Sequence, residues 1–424
     1  MFSLLLFCVL SILAFFLLKK KWGNEFRHKK IIQGLWIIKW IGMITMTAWY
    51  THSGNNLMRA DVYKYFHDAE VLYPLWLENP SLWLGILTGT NTESQEAYLA
   101  LNQTEFYFHG DNHWTNDDRM MIRIHMIIRI FSGGNQYIHG LVFLLFGIIS
   151  SLYFCKKWKP YSGIPEWLLL LFSMGLPSVI FWCGGALKET LLLGCLFLGI
   201  GSFIPDNDER RKNIMLFILS GFILFMIRPV LILIWIPAIL TAWLVQWNLR
   251  IRFFALVFLL LMALMAILHI PEIAGLLINK RNELVIHALQ GGAGSMTNPD
   301  LHEPNGLSLI ALMPIGLMES IFSPFFPISK AGILGIFFGF EIAILLFLIP
   351  FLKGKQNLPT FVRFLAVMWI TASLFYLLIV GVTSPVAGAI VRYRSVVIPW
   401  IALGIAELYT LRFFIFIKNI EQEP

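Results

Sequence analysis

Apolar blocks close to twenty residues long, each bounded by lysine or arginine, recur along this chain. The first, Phe2 to Leu18, is followed by Lys19, Lys20, Lys21, Arg27, Lys29 and Lys30. A helix of about twenty apolar residues matches the hydrocarbon thickness of a bilayer. Only 13% of the 424 residues are charged, against 58% hydrophobic; a water-exposed surface needs roughly twice that share of charge. A soluble enzyme, a disordered chain and a disulfide-built secreted scaffold are excluded on these grounds. The expected fold is all-α: a polytopic transmembrane helical bundle. Cys8, Cys155, Cys183 and Cys195 lie within or beside apolar blocks without metal-ligand spacing, and read as small buried hydrophobes.

Positive charge beside a span is retained in the cytoplasm. Because the basic run follows the first block, that block reads as a span rather than a cleaved leader, with the N-terminus external. Residues 1–30 form this span and a basic cytoplasmic loop. Residues 31–260 form a transmembrane module with a large external loop at 51–135. Within it, 166–204 reads as a hairpin broken at Gly184-Gly185, and 214–247 as one broken at Arg228-Pro229, since proline removes a helix hydrogen bond. Residues 261–424 form a C-terminal module containing an external loop at 271–306 and a Pro-rich re-entrant segment at 307–327. Spans at 253–270, 331–351, 364–382 and 396–415 bring the total to about eleven and leave the C-terminus cytoplasmic.

This topology puts 19 Lys+Arg and 7 acids inside, against 12 and 16 outside. The formal charge of +7 is thereby explained by orientation, with no nucleic-acid partner. Lys39, Glu341 and Glu407 fall within spans, Lys39 where it can snorkel.

The external loop is acidic and contains apolar residues at helical spacing after Asp61 and after Asp117-Asp118, which predicts amphipathic helices lying on the membrane. Asp61 stands just outside a span end, placed either as a general base for a sugar hydroxyl or as a helix cap. Asp68, Asp117 and Asp118 are secondary acidic candidates; Asp68 also fits a solvated face, and the Asp117-Asp118 pair a helix cap, with Asp111 and His113 close by. Their mixture with histidine would suit a divalent metal, but no ligand spacing supports one, so no cofactor is assigned. Lys188 and Glu189, between two apolar runs, are costly in a membrane unless they face a cavity or a partner. Arg228, Arg392 and Arg394 all break the positive-inside trend. Arginine binds phosphate bidentately, which suits a phosphate-linked lipid at this depth; snorkelling is the alternative.

With Asp61 and Tyr65 in an Asp-x-x-x-Tyr context, and Pro177 preceding Glu189 at a hairpin tip, residues 31–260 resemble the glycosyltransferase C superfamily. The resemblance implies a plasma-membrane enzyme of bacterial type using a polyprenyl-phosphate- or pyrophosphate-linked sugar. It gives Asp61 and Glu189 catalytic roles with Tyr65 in the substrate site, Lys188 beside the acid departing from the family's commoner lone Asp. The phosphate-binding roles of Lys188, Arg228, Arg392 and Arg394 rest on the charge argument above. Arg392-Tyr393-Arg394 before the Pro399-containing span is similar to bacterial surface-polysaccharide polymerases, which join lipid-linked repeats. A lipid-linked sugar transporter and a non-catalytic assembly subunit are the readings from other classes.

Overall fold

The protein is described by a computed structural model covering residues 2–52, 61–90, 92–105, 116–204, 209–244, 265, 268–290, 292, 294–297, 299–323, 325, 333–348, 352–355 and 358–411. Arg59, Asp111, His113, most of the expected span 253–270 and the tail beyond Leu411 lie outside the described residues. The described chain is mostly helical, with one two-stranded ladder. It divides into two compact units: residues 1–160, 165–175 and 179–232, and residues 161–164, 176–178 and 233–424.

The first unit opens with α1 (Phe2–Trp22) and α2 (Lys29–His52), followed by four helices from the expected external loop: α3 (Asp61–Glu78), α4 (Pro80–Thr88), α5 (Gln95–Leu101) and α6 (Asp117–Ser132). α7 (Gln136–Trp158) is held at its start by the Asn135 side chain, which accepts from the Tyr137 N–H at 2.9 Å. It ends on Lys156 and Lys157, cations at the negative end of the helix dipole. α8 (Glu166–Met174), α9 (Pro177–Trp182), α10 (Lys188–Phe203), α11 (Arg210–Ile227) and α12 (Val230–Leu233) follow. α10 packs along α7, where a side chain on Gly194 would run into the Phe146 ring. Small residues permit that backbone approach. α1, by contrast, leaves Leu4, Leu5, Val9, Ile12, Leu13, Phe16 and Leu17 half or more exposed, a surface suited to lipid rather than water.

Segment 166–204 departs from the expected simple hairpin. Gly175 ends α8, Pro177 opens α9, and the turn at Gly184-Gly185 is buried. The turn is no wet tip because Lys39 reaches it from α2. Its ammonium donates to the carbonyls of Val179 at 3.1 Å and Cys183 at 3.4 Å. A cation at the end of a short helix favours its last carbonyls; the Val179 carbonyl also accepts from the Cys183 N–H at 3.2 Å. Lys39 therefore does not snorkel; it is buried and fastens α9 to α2. α11 ends where the sequence placed a break, with Arg228 as its C-cap and Pro229 next.

The second unit contains α13 (Trp235–Leu244), α14 (Pro271–Gln290), α15 (Gly306–Phe322), α16 (Ile333–Leu348), α17 (Thr360–Thr383), α18 (Ala387–Arg394) and α19 (Ile398–Leu408). The expected external loop 271–306 thus contains a twenty-residue helix, α14. The described part of the Pro-rich segment 307–327 forms a helix, α15, to Phe322 with Pro314 inside it; Pro324 and Pro327 lie outside the described residues. α15 and α17 cross at Gly316 and Gly381, whose backbones meet so closely that a methyl group on Gly381 would collide with the Gly316 carbonyl. The expected last span, 396–415, is cut short. Its helix stops at Leu408, and Tyr409–Leu411 pairs antiparallel with Leu352–Gly354. Glu407 is anchored rather than lipid-facing, accepting from the Ser162 hydroxyl at 2.5 Å and the Gly163 N–H at 2.9 Å.

Among the described residues, four helices are long and apolar enough to cross a membrane: Ser3–Trp22, Lys29–Thr51, Gln136–Trp158 and Thr360–Thr383. α18 and α19, bent by 52°, make a fifth if counted as one span. The several apolar helices are compatible with a membrane protein. Val230–Leu244, Gly306–Phe322 and Phe338–Phe347 are shorter apolar helices, and most of the 253–270 block lies outside the described residues.

Candidate functional site

α3 begins at Asp61, a negative charge at the positive end of the helix dipole. Val62, Tyr65, Ala69 and Leu72 then recur at spacings of three and four and are all buried, which seats this face against α6. Asp68 lies on the same buried side. Its Oδ1 accepts from the Glu105 N–H at 2.8 Å, so it ties α3 to the end of the α5 loop instead of sitting on a solvated face.

α6 is capped by Asn116, whose Oδ1 accepts from the Arg119 N–H at 3.0 Å. Asp117 and Asp118 are therefore not needed as caps, which corrects that expectation. Both turn to Lys188, the first residue of α10. Its Nζ lies 2.6 Å from Asp117 Oδ2 and 2.7 Å from Asp118 Oδ1. The Tyr65 hydroxyl donates to the same Asp118 Oδ1 at 2.6 Å, and the Lys188 ammonium stands 5.4 Å from the centre of the Tyr65 ring. Asp61 acts electrostatically on both Lys188 and Asp117, and Arg228 on Asp117.

Residues from four separated stretches of the first unit thus share one electrostatic neighbourhood: Asp61 with Tyr65, Asp117 with Asp118, Lys188, and Arg228. Burial opposes ionisation of Asp117. Lys188 beside it and Arg228 farther off outweigh that cost and hold its carboxyl below the usual 3.8. The centre is two aspartates closed around one lysine, a charge-assisted arrangement whose hydrogen bonds are short and strong. Glu189, next in sequence to Lys188, is fully buried. Among the described residues no group of three or more His, Cys, Asp or Glu side chains is placed to hold a metal ion.

Arg392 and Arg394 belong to the second unit. Arg392 is half-buried, with its guanidinium 5.9 Å from the centre of the neighbouring Tyr393 ring. Arg394 is not at an exposed turn. It is fully buried, and its Nη1 donates to the carbonyls of Ser320 at 3.4 Å, Ile321 at 2.9 Å and Ser323 at 2.8 Å. These lie at the end of α15, where carbonyls lack intrahelical donors. Arg394 spends this nitrogen on completing a helix terminus, which is why it can lie inside an apolar unit.

Sequence reasoning missed a second polar group in the first unit. His125 of α6 and His139 of α7 face each other Nδ1 to Nδ1 at 2.9 Å, and His139 Nε2 is 2.9 Å from Ser132 Oγ. Two imidazoles bonded this way need one Nδ1 protonated and the other bare. Burial pushes His125 down to about 3, which keeps its ring neutral. The available signal was His125 on the apolar face of an amphipathic helix. Asn116 was also missed, although Asn before two acids and a periodic run is a helix-start pattern.

No family model matches the chain, and no curated protein or solved structure shows a significant match.

Proposed function

We propose that this protein is a multi-pass membrane glycosyltransferase, transferring a sugar from a polyprenyl-phosphate-linked donor to a glycan, lipid or protein acceptor on the external face. The observation that carries this reading is the gathering of Asp61, Tyr65, Asp117, Asp118, Lys188 and Arg228. These groups leave water at a cost, and their mixture matches what transfer from an anionic carrier needs. Asp61 is the base that takes the acceptor proton. Arg228 offers a guanidinium to the carrier phosphate as it leaves. Asp117 and Asp118 hold Lys188 at the mouth of α10, and Tyr65 fixes the orientation of Asp118. Glu189 orients Lys188 or the acceptor. The finer topology of the proposal is about eleven spans in a plasma membrane of bacterial type, N-terminus external and C-terminus cytoplasmic.

The test is transfer from a polyprenyl-phosphate sugar in reconstituted vesicles. Asp61→Asn is expected to lower turnover about 100-fold or more, the usual contribution of a general base; full activity at equal folded yield overturns the assignment. Lipid extracts of a deletion strain separate transfer from polymerisation. A transferase leaves an unmodified acceptor, and a polymerase leaves single lipid-linked repeats.

A further inference from the structure

Away from the charged cluster, α1, α2 and α7 enclose a cavity of about 190 Å³ in the first unit. Its apolar wall includes Ile32, Trp36 and Ile148, and all three are buried. Its polar rim is made by Lys19 and Asn24 at the end of α1 and by Lys29 and Gln33 at the start of α2. Amphipathic cavities of this kind, basic at one side and greasy at the other, fit a lipid headgroup between helices.

Three features define the occupant. Lys19 and Lys29 are exposed and make no ion pair among the described residues. The acid nearest in sequence, Glu25, is already engaged by Lys156 at 2.8 Å. α2 also opens on Lys29 and Lys30 with no acid in its first turn, so two cations sit at the positive end of a helix dipole, where anions are favoured. An arriving phosphate would relieve both. Finally, Phe16 and Leu17 of α1 and Ile37 and Ile38 of α2 are about half exposed, which extends apolar surface along the helices that form the cavity. The volume is smaller than that of a site for a whole drug-sized ligand, and suits a headgroup of phosphoglycerol size rather than a whole lipid.

We propose that this cavity is a binding site for an anionic glycerophospholipid. The phosphate lies between Lys19 and Lys29, Asn24 and Gln33 hydrogen-bond the glycerol or phosphate oxygens, and the first acyl carbons rest on Ile32, Trp36 and Ile148. The proposal is independent of the glycosyltransferase reading.

Native mass spectrometry of the full chain in detergent, titrated with phosphatidylglycerol, phosphatidylcholine or glycerol phosphate, tests it. Phosphatidylglycerol is expected to bind at least tenfold tighter than either of the other two. Lys19→Gln with Lys29→Gln should weaken it about 30-fold, since each lysine near a lipid phosphate contributes roughly fivefold. Lys20→Gln with Lys30→Gln removes the same charge outside the cavity and should change it less than about threefold, and Gln33→Trp, which fills the mouth without changing charge, should abolish it. Equal binding of phosphatidylcholine, equal loss in both lysine pairs, glycerol phosphate binding as tightly as the lipid, or full binding by Gln33→Trp would each overturn the assignment.

Discussion

In the first unit a buried ammonium, Lys188, is met by the side chains of Asp117 and Asp118; in the second a buried guanidinium, Arg394, is met by the backbone carbonyls of Ser320, Ile321 and Ser323. Both solve the problem of a cation in an apolar unit, but with different partners. Carboxylates are ionisable, carried on rotatable bonds and able to exchange one cation for another. Carbonyls at a helix end are fixed in place by the backbone. On the proposed function the cation held by carboxylates stays available to chemistry, whereas Arg394, which has the Glu341 carboxylate in its electrostatic surroundings as well as the carbonyls, belongs to the fold. Lys188 and Arg394 looked equivalent in the sequence because only the partner, not the cation, distinguishes these uses.

Substitution should separate the two cases by size. Arg394→Met strips a donor from three carbonyls at the end of α15 and is expected to cost about 3–5 kcal/mol, at roughly 1–2 kcal/mol for each orphaned acceptor, read as loss of folded protein after extraction and a lower Tm. Lys188→Met leaves Asp117 and Asp118 facing each other, but both are about one-third exposed, so water offsets part of the loss. We expect about 1–3 kcal/mol, with the thermal change smaller than for Arg394→Met. A larger loss at Lys188 would break the comparison by making it the structural cation.

Acid probes the first unit in a third way. His125 ionises at the usual 6.5 when unfolded and at about 3 when buried, so the unfolded chain binds the extra proton first. Its contribution is complete above pH 6.5 and falls as pH drops toward 3, by about 1.4 kcal/mol per unit. Melting curves at pH 7 and pH 5 should therefore differ by about 2 kcal/mol from this group, and His125→Gln should remove that part of the difference.

Periodicity made much of the architecture legible. α3 starts at Asp61 and α6 at Asp117 because apolar residues recur at helical spacing directly after each, and Pro229 marks the end of α11 for a stereochemical reason that needs no neighbour. What was not legible depended on acceptors contributed by the backbone of a distant segment. Lys39 finds the end of α9, and Arg394 the end of α15, yet carbonyl groups leave no mark on residue identity. The shortened last helix has the same origin: Ser162 and Gly163 hold Glu407 where hydropathy alone reads a continuous span. Within the candidate site, the residue types and the Asp61–Tyr65 spacing were readable. The closure of Asp117 and Asp118 on Lys188 was not, because it joins groups some seventy positions apart.

The contact of Gly316 with Gly381 has a mechanical consequence. Where two helices touch main chain to main chain, no cushion of side-chain atoms is left to shear, and neighbouring residues act as cogs on either side. α15 and α17 therefore form a single stiff girder, and any working motion of the second unit must carry both of them together or bend the chain beyond their ends.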